Sequence, residues 1–166
     1  MDNESPERRP TALGDPRADD PALGLLLATA HDAARSALNA ELRPLGIETR
    51  HFGILATLDR QGPTSQRRLG ALLGLDKSAV VRIMDELERL GLAVRNRASH
   101  DRRAYAIQLT AEGQRLARAS AEAATVVSAR LFGRLGADDR DRLVSLLTDI
   151  VVRAREGSTG DDADRP

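Results

Sequence analysis

Residues 65–91 read SQRRLGALLGLDKSAVVRIMDELERLG, and their punctuation decides the fold. Ser65 is a good helix cap, Leu69, Leu72 and Leu73 follow as inward residues at helical spacing, and Gly74 ends the run. Asp76 opens a longer helix over 77–90, with Val80, Ile83, Met84, Leu87 and Leu90 as its inward stripe and Gly91 as its stop. Two such helices joined by a Gly-Leu turn predict a helix-turn-helix.

On the N-terminal side, Thr49 is the expected cap of a short helix carrying Phe52, Leu55 and Leu58, stopped by Gly62-Pro63. Before it, residues 22–43 place Leu23, Leu26, Leu27, Ala30, Ala34, Leu38 and Leu42 at steps of three and four, until Pro44 and Gly46 end the helix. On the C-terminal side the period changes from 3.6 to 2. Leu92 and Val94 alternate with Ala93 and Arg95, and Tyr105, Ile107 and Leu109 alternate with Ala104, Ala106 and Gln108. The polar, basic residues 96–103 between them make the tip of a hairpin, a wing on the helix-turn-helix. Thr110 caps an alanine-rich helix over about 111–134, and a last helix over about 138–155 repeats Leu143, Leu146, Leu147, Ile150, Val151 and Ala154. The fold class is mainly α with a small β-hairpin wing. The outer helices carry apolar stripes that a small module does not use up, so a homodimer built on them is expected.

The chain has 166 residues, enough for one domain, and no cysteine, which excludes disulfides, thiolate metal sites and thiol redox sensing. Its formal charge is zero, which argues against a nucleic-acid partner until the ends are counted apart. Residues 1–20 hold six acids against three arginines, and 156–166 hold four acids against Arg165 alone, so each end is −3 and the rest +6. Both ends are poor in large apolar side chains and are expected to be disordered acidic tails, 1–21 and 156–166. No apolar run is long enough to span a membrane, and the opening MDNESPERRP has no signal-like apolar stretch, so the cytoplasm is the expected location.

The surplus charge is concentrated. Residues 65–103 hold nine basic residues against five acids. Lys77, Ser78, Val81, Arg82, Asp85 and Arg89 share the outward face of helix 77–90. A solvated face is the ordinary reading of such a row, but Val81 among charges suits a thymine methyl, and Lys77, Ser78 and Arg82 sit in the turns that enter a major groove. Arg82 is the expected guanine contact. Asp85 either accepts from cytosine or holds Arg82 or Arg89 in place. Arg95, Arg97, Arg102 and Arg103 put arginine on the hairpin, where it suits a narrow minor groove, and Asp101 lies close enough to orient Arg103.

The ordered set Thr64-Ser65-Gln66, Leu72-Leu73-Gly74-Leu75-Asp76-Lys77-Ser78, Met84-Asp85-Glu86-Leu87-Glu88, Gly91-Leu92-Ala93-Val94-Arg95, Asp101-Arg102-Arg103-Ala104 and Leu109-Thr110-Ala111-Glu112-Gly113 resembles the MarR family of winged-helix transcriptional regulators. The resemblance covers about 23–154 and divides 22–155 into dimerisation helices, 22–48 and 111–155, around a winged helix-turn-helix, 49–110. It implies a homodimer that binds a pseudo-palindromic operator, usually as a repressor, and is modulated by a small ligand. It also implies that Arg103 enters the minor groove with Asp101 as its partner. Ser65, Gln66 and Arg67, at the start of the second helix, complete the expected DNA-contact set. Arg67 and Arg68 depart from the small residue and acid frequent there, which removes a capping-box glutamate and adds phosphate contacts.

Chemistry that competes with this reading has little to stand on. His31, His51 and His100 are dispersed, and no zinc-protease, nucleophile-elbow or phosphate-loop motif occurs, so no enzyme, metal or cofactor is expected. His31 and Arg35, with Arg50 and His51, are instead candidates to receive an anionic or aromatic effector, set against the plain alternative of ordinary surface or half-buried side chains. The competing class is a winged helix that meets an acidic protein rather than DNA.

Overall fold

The computed structural model describes the backbone of residues 21–98 and 101–160 and the side chains of 21–97 and 105–154. The elements run α1 (Pro21–Leu42), a 3₁₀ turn (Arg43–Leu45), α2 (Thr49–Gln61), β1 (Thr64–Ser65), α3 (Gln66–Leu73), α4 (Lys77–Arg89), β2 (Ala93–Ala98), β3 (Asp101–Leu109), α5 (Ala111–Phe132) and α6 (Ala137–Gly160). The chain divides into two compact units, up to Val127 and from Ser128.

Local chemistry sets most of the boundaries in the first unit. Ser65 caps α3 by accepting from the Arg68 N–H at 3.3 Å. Gly74 ends that helix at φ 66°, a left-handed conformation that residues with a Cβ rarely adopt. The Asp76 carboxylate caps α4, accepting from the Ala79 N–H at 2.8 Å and the Ser78 hydroxyl at 2.6 Å. These bonds, the Ser78 hydroxyl foremost, hold its carboxyl below the usual range. Thr110 caps α5 through the Gly113 N–H at 3.0 Å and donates its own proton to the Gly91 carbonyl at 2.7 Å. Gly113 packs so tightly that a Cβ there would lie 1.9 Å from the Leu92 carbonyl oxygen.

Thr49 is not the cap of α2. That position belongs to Glu48, whose N–H donates to Nδ1 of His51 at 3.1 Å. Thr49 is engaged elsewhere: its N–H and its hydroxyl both donate to Oδ1 of Asn39, each at 2.8 Å, and lock the turn between α1 and α2.

The core joins Leu42 of α1, Ile54, Leu55 and Leu58 of α2, Leu69 of α3, Val80, Ile83, Met84 and Leu87 of α4, Ile107 of β3 and Leu116 of α5. Leu72 and Leu90, expected inside, are exposed. The buried face of α3 is completed by Leu73, and Leu90 falls beyond the last turn of α4, where the stripe no longer points at the core.

The sheet has three antiparallel strands in the order β1-β3-β2. β1 pairs Thr64 with Ile107 and Ser65 with Ala106; at two residues it is too short for alternation to reveal. In β2 the expected faces are exchanged. Leu92 is buried but precedes the strand, and within it Ala93 and Arg95 face inward, opposite Leu109 and Ile107, while Val94 faces out.

In the second unit, α6 continues to Gly160, past the end of its apolar period. Arg140 donates to the Phe132 carbonyl at 3.2 Å. Val144, Leu146, Leu147, Ile150, Val151 and Val152 are all exposed, as are Leu23, Leu25 and Leu27 of α1 in the first unit. Among the described residues no helix is long and apolar enough to cross a membrane.

Candidate nucleic-acid interface

The outward row of α4 is presented as the helical period requires. Lys77, Ser78, Arg82, Asp85 and Arg89 are exposed and Val81 is half-buried. Ser78 gives its hydroxyl proton to the cap carboxylate of Asp76, so toward a ligand it offers an acceptor rather than a donor. Beside this row, a groove of about 480 Å³ between α3 and α4 is lined by Gln66, Arg67, Gly70, Ala71, Leu75, Lys77 and Val80. Ser65 and Arg68 lie at the N-terminus of α3, and Arg68 also reaches Gln61 Oε1 at 3.4 Å. Cationic side chains at two adjacent helix N-termini make a surface suited to phosphate.

The hairpin contributes unequally. Arg97 is exposed and stands opposite Tyr105, itself exposed. Arg95 departs from the expectation of a free wing cation, because it faces inward and is enclosed by α4. Its guanidinium donates to the Glu88 carboxylate, to Asp85 Oδ1 at 2.8 Å and to the Val81 carbonyl at 3.5 Å, and its own N–H reaches Glu88 Oε1 at 3.0 Å. Asp85 therefore pairs with Arg95 rather than with Arg82 or Arg89. The side chains of Asp101, Arg102 and Arg103, and His100 entirely, lie outside the described residues; the β3 backbone begins at Asp101, paired with Ala98.

Of the expected effector residues, Arg50 and His51 meet at Glu86 of α4. His51 is buried, and its Nε2 lies 2.6 Å from Glu86 Oε2, with Arg50 Nε at 3.3 Å from the same oxygen. Since Nδ1 accepts the Glu48 N–H, a neutral ring carries its proton on Nε2 and donates it to Glu86. That bond is the chief reason the Glu86 carboxyl lies below the usual range. His31 is exposed on α1, and Arg35 pairs with Asp32 at 3.3 Å. Among the described residues no hydrogen bond or ion pair joins His31 and Arg35 to Arg50 and His51. No cluster of three metal-ligating side chains occurs among them either.

Glu86 and Glu88 were not expected to carry any of this. The signal for Glu88 lies in the tight reversal at Gly91, which returns residue 95 alongside residue 88; His51 and Glu86, 35 positions apart, carry no local signal.

Residues 45–104 match the MarR family. CouR from Rhodococcus jostii RHA1, in its structure bound to p-coumaroyl-CoA, is 32% identical over 80% of this chain and 92% of its own, with a TM-score of 0.73. The chain belongs to the MarR family. A MarR-family transcriptional regulator from Rhodococcus sp. RHA1 is 29% identical, over 81% of this chain and 97% of its own, with a TM-score of 0.72. The repressor CouR, bound to a 23-mer DNA duplex, is 34% identical over 78% of this chain and 92% of its own, with a TM-score of 0.70. Proteins of the MarR family are DNA-binding transcriptional regulators rather than enzymes.

Proposed function

We propose that this chain is a cytoplasmic, homodimeric, ligand-responsive repressor that reads a pseudo-palindromic operator. The observation that carries the reading is the outward row of α4, exposed Lys77, Ser78 and Arg82 with half-buried Val81, flanked by Gln66 and Arg67 of the adjoining groove and by the arginine-bearing hairpin. In this reading α4 lies in the major groove with Arg82 on a guanine, Ser65, Gln66 and Arg67 meet phosphates, and the wing grips the minor groove through Arg97, Arg102 and Arg103, the last held by Asp101. Arg95 serves α4 instead. The exposed apolar rows of α1 and α6 support a second copy as their cover.

For the effector, the relative seen with p-coumaroyl-CoA favours a ligand both aromatic and anionic. It shifts binding only by its differential affinity for the DNA-competent state. Gel-shift titration on DNA upstream of the chain's own gene, at two salt concentrations, tests the function. A discrete complex on a short palindrome, dissolved by an aromatic acyl-CoA thioester, is the expected outcome; salt-sensitive smearing without sequence preference points to a protein-interaction module. Arg82→Ala should cost about 1–3 kcal/mol and relax one base position, whereas Arg103→Ala should weaken binding and lower the salt slope without changing the melting temperature.

A further inference from the structure

The acceptors that meet the Arg95 guanidinium lie on one flank of α4: the Val81 carbonyl, the Asp85 carboxylate one turn on, and the Glu88 carboxylate nearly another turn on. The backbone joins in, since the Arg95 N–H also donates to Glu88. Arg95 is a strand residue, paired with Ile107 of β3, so these bonds tie the root of the hairpin to the body of the helix. Its side chain is only 22% exposed and each of its terminal nitrogens is engaged, which leaves little of it for a phosphate.

We propose that Arg95, with Glu88 and Asp85, is a positioning clasp that fixes the wing to the recognition helix, so that α4 and the hairpin meet the DNA as one rigid surface. The proposal rests on the DNA-binding reading above. A guanidinium can serve three acceptors in a fixed fork, whereas an ammonium is a point charge and serves them poorly. Pre-set geometry between the two DNA-contacting elements removes an ordering cost that binding would otherwise meet. The clasp also holds one cation between two carboxylates. Breaking it from the arginine side uncovers two negative charges beside the proposed DNA face; breaking it at Glu88 removes one.

Substitution at Glu88 therefore separates geometry from charge by sign. On charge alone, Glu88→Gln should tighten DNA binding; as part of a clasp it should weaken it. Arg95→Lys keeps the charge and, if Arg95 served a phosphate, should bind almost as the parent does. Operator affinity by fluorescence anisotropy and amide hydrogen exchange of the DNA-free protein, on both variants, form the test. The expected result is a loss of operator affinity of about tenfold in each. Exchange should quicken at residues 94–97 and 105–108 while the amides of Met84 and Leu87 stay protected, which shows that the fold persists. Unchanged or tighter binding by Glu88→Gln overturns the proposal, whether or not hairpin exchange changes, because the pair is then structural at most. A parent protein that retains no operator DNA overturns the DNA-binding reading instead, and unchanged hairpin exchange would then overturn the clasp separately.

Discussion

His51 shows how differently two neighbouring positions can be used. Thr49 turns to Asn39, and the imidazole two residues on accepts the Glu48 N–H while meeting Glu86 of α4. The Glu86 carboxyl is held below its ordinary value of 4.5, first by that ring and then by Arg50. A group whose folded value is depressed contributes stability that is present above its unfolded value and is lost as pH falls through the folded one. Glu86→Gln should accordingly flatten the acid limb of the stability–pH profile, from about 4.5 downward. Urea midpoints measured from pH 3 to 7 check this, and parallel parent and variant curves would refute it. Ser65, Asp76 and Thr110 were legible as caps because each acts on an amide three residues away. The partners of His51 and Arg95 were not, because the fold chooses them.

The helices and the hairpin follow from periodicity, yet the face of β2 does not. Leu92 precedes the strand and joins the hydrophobic core from the turn, where its carbonyl and that of Gly91 receive Thr110, at 3.0 and 2.7 Å, which stitches the start of α5 to the turn after α4. Alternation read from residue 92 thus begins one position too early and assigns Arg95 to the wrong side. Gly113 completes the same stitch. Its missing Cβ leaves room for the Leu92 carbonyl, and no rotamer change relieves a clash with backbone. Gly113→Ala should destabilise the protein by about 3 kcal/mol, the upper end for overpacking. A denaturant midpoint equal to the parent's would show that α5 shifts freely, contrary to the packing described. The two-residue β1 had no periodicity to be read from, and only its pairing with β3 identifies it.

Charge is distributed over the whole chain in a way its zero sum conceals. Removing residues 1–20 deletes six acids and three arginines and leaves a net +3. Affinity for non-operator duplex should then rise, most at low salt, where screening is weakest. Anisotropy titrations on a scrambled duplex at two salt concentrations check this; equal affinity of both forms removes the tail from the account. Within the first unit, the oxygen of Asn39 that takes two hydrogen bonds from Thr49 has a mechanical meaning. Ordinary loops absorb displacement because their backbone has slack. Here the turn at 46–48 is spanned by two bonds to one atom, so the end of α1 and the start of α2 are held together more stiffly than the loop backbone alone would hold them. From α2, His51 in turn meets Glu86 of α4. A run of direct side-chain bonds thus links α1, the start of α2 and α4 in series.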